Sequence, residues 1–199
     1  MKTSVFVEDA AHASFIVGVL ERVALTLGVS IDVNVRNAVG GHGAVVGSLR
    51  RYVRDVARGR DTFAEVLVVA IDGNCQGSHR VKRAIREVAQ KEVYAGLVVC
   101  AVPNPHIELW YLLDGIAVNT VIGCGGSQPA LPEQKCEKGR YKRLLRDAFR
   151  EGDIDPPAGG SEYGEEVAAA LDIDFARAAD SDFDSFVDDL EAALRSSAD

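Results

Sequence analysis

The chain reads as an α/β protein: a Rossmann-like parallel four-stranded sheet with helices on both faces, followed by a helical C-terminal extension. Three observations predict this. From Val5 to Val102, short apolar runs alternate with amphipathic stretches in the order β-α-β-α-β-α-β. Two of the runs, Val66–Ile71 and Leu97–Val102, are continuous in apolar residues, as strands buried on both faces are. The connections are short, and in this order they return each strand to one parallel sheet.

Val5–Val7 reads as the first strand. Ala10–Leu27 places Phe15, Val19, Val23 and Leu27 four apart on one helical face, and Gly28 stops it. Residues 31–35 alternate as a second strand, Gly40-Gly41-His42-Gly43 forms a loop, and residues 44–57 form a second helix on Val45, Leu49, Tyr52, Val53 and Val56. After the Val66–Ile71 strand, Ser78 can cap a third helix with Val81, Ile85 and Val88 inward. Beyond Leu97–Val102, Pro103 and Pro105 break the chain, and residues 107–113 read as a compact apolar helix with Trp110 and Tyr111. Residues 123–135 are rich in Gly, Pro and Ser and predict a loop. A basic helix at 140–150, a Pro-Gly linker at 153–160 and two acidic helices near 163–170 and 184–194 complete the chain. The stripe Phe183, Phe186, Val187 and Leu190 predicts that the last helix docks on the body. The expected organisation is an α/β domain over 1–114, with the extension and its acidic tail over 115–199.

At 199 residues and 47% apolar content the chain can bury one core. Its net charge of −8 is unevenly spread. Residues 1–150 carry 20 Lys and Arg against 15 Asp and Glu, net +5, whereas residues 151–199 carry 2 against 15, net −13. The body can therefore meet phosphates although the whole chain is acidic. Its basic clusters, such as Arg50, Arg51 and Arg54, read equally as solvated helix faces. Cys75, Cys100, Cys124 and Cys136 lack CxxC spacing, which predicts reduced thiols in a cytoplasmic protein rather than a disulfide framework. No window holds the roughly 18 consecutive apolar residues of a membrane span, and neither a signal peptide nor a membrane partner is expected.

Glu8 and Asp72 each close an apolar strand, and Asn74 follows Asp72 by two. The carboxyl ends of parallel strands are where open α/β sheets bind ligands and ions. Hard cations such as Mg²⁺ take oxygen ligands and keep several waters, so two carboxylates and an amide oxygen form a candidate site. Structural alternatives stay open: Asp9 can cap the first helix, and Asp72 with Gly73 can form an Asx turn. Carboxylates exposed at strand ends are expected to add little to stability.

Glu8 after the first strand and Asp72-Gly73-Asn74 after the third resemble the Toprim domain of topoisomerases, bacterial primases and OLD-type nucleases. The string Asn104-Pro105-His106-Ile107-Glu108-Leu109-Trp110 resembles the corresponding segment of small stand-alone Toprim proteins of the RloB-like kind, found beside ABC-type or AAA ATPases in phage-defence loci. The resemblance covers about residues 3–114. It implies a Mg²⁺- or Mn²⁺-dependent nuclease, a hydrolase of DNA or RNA phosphodiesters that serves antiviral defence with an ATPase partner. It further implies catalytic Glu8, Asp72 and Glu108 and metal ligands Glu8, Asp72 and Asn74. Asn74 stands where the family often has a second Asp, a loss of one charge that Glu108 can restore.

Two other classes fit the same residues. One is an attenuated Toprim subunit that binds nucleic acid or an ATPase without cutting, which Asn74 favours. The other is a receiver-like phospho-acceptor domain, because Glu8, Asp9 and Asp72 imitate its acidic pocket; no Lys-Pro after a fifth strand supports it. His12 can face the same site or be a half-exposed polar residue. The loop 40–43 can contact phosphate or simply turn, and Lys135, Lys138 and Lys142 can approach from outside the sheet.

Overall fold

The computed structural model of the protein describes residues 1–38, 40–123, 136–137 and 139–196. Strands β1 (Lys2–Val7), β2 (Asp32–Asn37), β3 (Val66–Ala70) and β4 (Leu97–Ala101) form one sheet in the order β2-β1-β3-β4, with every neighbouring pair parallel. Register pairs Val7 with Ala70 and Ala70 with Ala101. The ends of β1, β3 and β4 are therefore level, and Glu8 and Asp72 leave the sheet from the same edge.

Alternation along the strands sends side chains to two cores. Val5, Val7, Val66, Val68 and Val99 join a cluster with α1 (Ala10–Leu27). Phe6, Leu67, Val69, Cys100 and Val102 pack on the other face against α2 (His42–Ala57) and α3 (Ser78–Lys91). As the apolar spacing predicts, Val81, Ile85 and Val88 are the inward residues of α3. Gly28 ends α1 in the left-handed region at φ 68°, where its N–H meets the carbonyls of Ala24 and Leu25.

The remainder of the chain is helical: α4 (Ile107–Tyr111), α5 (Gly115–Val121), α6 (Arg140–Glu151), a 3-10 turn (Ser161–Tyr163), α7 (Gly164–Ala170), α8 (Ile173–Ala179) and α9 (Ser181–Ser196). Phe183, Phe186, Val187 and Leu190 of α9 are fully buried in the same cluster as Val5 and Phe15. Trp110 stacks on Phe186 at 5.5 Å and meets Phe183 edge-on at 5.1 Å. Lys82–Asp182 and Arg86–Asp189 ion pairs tie α3 to α9. The sequence pattern does not show α5 and α8. Both are short and made by their caps, Asp114 on Ile116 N–H and Asp172 on Phe175 N–H, each 2.9 Å.

Helix α1 is long and apolar enough to cross a membrane by length and composition only. Its Phe15, Ile16, Val19 and Leu20 are fully buried against the sheet and the C-terminal helices. One expectation is corrected: Cys100 is unpaired and buried, but Cys75 and Cys136 are joined in a disulfide with Cα atoms 5.7 Å apart. The fold brings the loop after β3 to the segment before α6 across 61 positions, a proximity that spacing does not reveal. Cys124, Lys135, Lys138 and all but the first residue of the expected 123–135 loop lie outside the described residues.

Candidate metal centre

The site is built where β1 and β3 end. Asp9 caps α1, accepting from His12 N–H at 3.1 Å, and this turn directs the His12 ring back across the sheet edge. His12 is 1% exposed and bridges two carboxylates: Nδ1 lies 2.8 Å from Asp9 Oδ1 and Nε2 lies 3.0 Å from Asp72 Oδ1. Asp72 also accepts from Ile107 N–H at 2.9 Å, and its Oδ2 lies 2.9 Å from His106 Nδ1.

The loops after β3 and β4 are laced together to hold that arrangement. Gly73 N–H donates to Pro103 O at 2.7 Å, Asn74 N–H to Pro105 O at 2.9 Å and Cys75 N–H to Asn104 Oδ1 at 3.2 Å. A Cβ at Gly73 would stand 2.9 Å from Asn104 Oδ1, so only glycine permits this approach. The Asn104–Trp110 string thus has local work: Asn104 and Pro105 receive the metal-side loop, His106 and Ile107 hold Asp72, and Trp110 anchors the segment in the core.

Glu8, His12 and Asp72 each present a ligand atom within 4.8 Å of the others. Adjacent ligands of a hexacoordinate Mg²⁺ stand roughly 3 Å apart, so the trio would have to close around an ion to share it. Two features fit such an ion. Glu8 Oε2 is buried and has no hydrogen-bond partner among the described residues. Asp72 offers about four lone-pair sites, of which three are engaged. Glu8 and the last Asp72 lone pair are the oxygen donors left for a cation, and a neutral His12 nitrogen would be a third ligand.

Electrostatics set the resting state. Burial and the neighbouring Asp72 charge push the Glu8 carboxyl above its ordinary value. For Asp72 burial acts upward, but hydrogen bonds from His106 and His12 outweigh it and hold the carboxyl low. Burial likewise opposes charge on His12; its bonds to Asp72 and Asp9 prevail and raise it to about 10. Asp9, bonded to His12, falls to about 2. His106 is raised by its bond to Asp72. The resting centre is therefore a hydrogen-bonded network in which the Asp9–His12 pair favours its charged form.

The other expected residues sit around this group. Asn74 is exposed, and its Nδ2 donates to the Asp72 carbonyl at 3.3 Å, away from the trio. Glu108 is buried beside the group, its Oε1 3.6 Å from Lys142 Nζ, and burial raises its carboxyl. The expected 40–43 loop is shorter than its sequence suggests, since α2 begins at His42; Gly41, just before it, borders the site, where a Cβ would stand 3.5 Å from Glu8 Oε1. Sequence reasoning left the role of His12 open and assigned none to His106. The four-residue step from Glu8 to His12 across the first helical turn was the available signal for the former. Compared with protein-family models, curated proteins and solved structures, the chain matches none of them.

Proposed function

We propose that this protein is a Toprim-type, Mg²⁺- or Mn²⁺-dependent phosphodiesterase that cuts nucleic acid, working in the cytoplasm as a defence effector with an ABC- or AAA-type ATPase. The observation that carries this reading is the convergence of Glu8, His12 and Asp72 within 4.8 Å at the carboxyl edge of a parallel sheet. A bound divalent ion would polarise a phosphoryl oxygen and lower the pKa of an attacking water. Glu8, with its raised carboxyl and unpartnered oxygen, is placed to take a proton from that water. His106 and Ile107 N–H hold Asp72 in position, and Lys142 brings positive charge for the phosphate.

The test is cleavage of single- and double-stranded DNA and RNA with Mg²⁺ or Mn²⁺, alone and with an ATPase partner. EDTA, Glu8→Ala and Asp72→Ala should each abolish it. Cleavage that persists in both variants removes these residues from the mechanism. A second reading, an attenuated nucleic-acid- or ATPase-binding subunit, is favoured by Asn74, whose amide bonds to backbone rather than joining the trio. Metal binding without cleavage selects it.

A further inference from the structure

Beside the trio lies a cavity of about 230 Å³, lined by Asp9, Ala10, Ala11, Glu108, Lys142 and Ser161 among others. Its wall contains a group that the surrounding fold does not satisfy. The Glu108 side chain is 6% exposed, only its Oε1 has an ionic neighbour, Lys142 at 3.6 Å, and Oε2 has no hydrogen-bond partner among the described residues. A buried carboxyl oxygen without a donor costs free energy, and a ligand hydroxyl is one group that removes that cost. Lys142 Nζ supplies positive charge at the same wall, and the first N–H groups of α1, which no intrahelical carbonyl can reach, add to it. Asp9 lies there too, with its charge countered by His12 at 2.8 Å. The cavity adjoins the metal-competent group through the Asp9–His12–Asp72 chain.

An acceptor that is short of a donor, next to a cation and a phosphate-cleaving centre, fits a sugar hydroxyl joined to a phosphate. We infer that this cavity is a ribose subsite, in which Glu108 accepts from the 2′-hydroxyl of the nucleotide next to the scissile phosphate while Lys142 faces the phosphate, so that the substrate is RNA. The inference rests on the phosphodiesterase reading for its placement beside a scissile bond. Carboxylate recognition of ribose hydroxyls is a general device, and the 2′-hydroxyl is the group that separates RNA from DNA.

The test uses the full chain and two probes, a ribo-dinucleoside monophosphate and its 2′-deoxy counterpart, with binding followed by calorimetry in EDTA and cleavage of matched RNA and DNA oligonucleotides followed in Mn²⁺. The wild type should bind the ribo probe on the order of tenfold more tightly, since the hydroxyl donates to a charged acceptor. Glu108→Ala should bring that ratio close to one. If this variant does not fold, Glu108→Gln, which keeps the shape but loses the charge, should reduce the ratio. Lys142→Ala should weaken both probes together and leave the ratio in place. Equal binding of the two probes by the wild type, or a ratio unchanged by the Glu108 variant that folds, overturns the ribose subsite even where cleavage is observed. A clear ribo preference with no cleavage, alone or with an ATPase partner, preserves the subsite and rejects the phosphodiesterase reading instead.

Discussion

His12 Nε2 lies 3.0 Å from Asp72 Oδ1 and joins the first turn of α1 to the end of β3 across the sheet edge. This contact turns two strand-end motifs into one network, because His12 also holds Asp9 and Asp72 also holds His106. It also makes the centre pH-sensitive. The folded His12 value, about 10, exceeds the ordinary 6.5, so its contribution to stability is complete below about 6.5 and disappears as pH rises through 10. Asp9 has the opposite sign: lowered from 3.8 to about 2, it contributes above 3.8 and loses that contribution as pH falls through 2. Thermal unfolding between pH 6 and 10.5 should show a falling Tm in the wild type. His12→Gln should start lower, by on the order of 3 kcal/mol for a broken buried pair, and be nearly flat over that range. A wild-type Tm insensitive to alkaline pH contradicts a charged His12.

Removing Glu8 and removing Asp72 should have unlike effects on stability. Strand-end position alone predicts little effect for either. Asp72, however, is 14% exposed and accepts from two imidazoles and an amide, so Asp72→Ala leaves the buried His12 with Asp9 as its one remaining carboxylate partner and Ile107 N–H without an acceptor, and should cost about 1–3 kcal/mol. Glu8 has an unpartnered buried oxygen and a repulsive neighbour in Asp72. Glu8→Ala should therefore leave stability within about 0.5 kcal/mol or raise it. Urea unfolding of both variants decides this, and it must precede any use of Asp72→Ala as a purely catalytic knockout.

The Cys75–Cys136 link ties the loop that carries Asp72 to the segment that leads into α6 and Lys142. Closing 61 positions removes denatured-state entropy worth about 4 kcal/mol in the chain-entropy picture. Reduction by a dithiol, or Cys75→Ser, should lower the urea midpoint without loss of secondary structure by circular dichroism. Equal midpoints for the oxidised and reduced protein would mean that the link adds nothing.

The acidic C-terminal segment contributes to the core as well as carrying charge. Phe186 is fully buried and stacks on Trp110, so Phe186→Ala should cost about 3–5 kcal/mol. Deleting residues 161–199 would uncover Phe15, Tyr111 and the β4 side of the sheet, and should yield insoluble protein. A soluble, folded truncation with a wild-type Tm would refute this account of α7 and α9.

The parallel sheet was legible because Val66–Ala70 and Leu97–Ala101 are continuous apolar runs, the first buried on both faces and the second buried from Val99 to Ala101, which leaves few other placements for them. The Phe183–Leu190 stripe was legible for the same reason, as a helical period on an otherwise charged segment. Helices α5 and α8 were not, since seven residues with an Asp cap give too little period to read. The site was half legible. Glu8 and Asp72 are marked by the strands they terminate, whereas His106 reaches Asp72 only because Gly73 lets two loops pack at backbone distance. The Cys75–Cys136 pair has the same origin, a meeting of loops distant in sequence.

Asn74 bears on whether position 74 needs a negative charge. Charge count alone predicts that Asn74→Asp tightens metal binding. The side chain is exposed, its residue adopts φ 47°, and its amide donates to the Asp72 carbonyl at 3.3 Å rather than meeting Glu8 or the Asp72 carboxylate. Aspartate tolerates the left-handed region as asparagine does, so the loop should keep its shape, but the new carboxylate cannot donate that bond and would turn to solvent. A solvated charge beyond the first shell is strongly screened. Asn74→Asp should therefore change Mn²⁺ affinity by less than about threefold, under 1 kcal/mol, whereas Glu8→Gln should weaken it by tenfold or more, about 1.4 kcal/mol, by removing the charge of a candidate ligand. Titration of Mn²⁺ by electron paramagnetic resonance measures both. A tenfold gain in Asn74→Asp would show that the loop swings inward when an ion binds, bringing position 74 into the coordination shell.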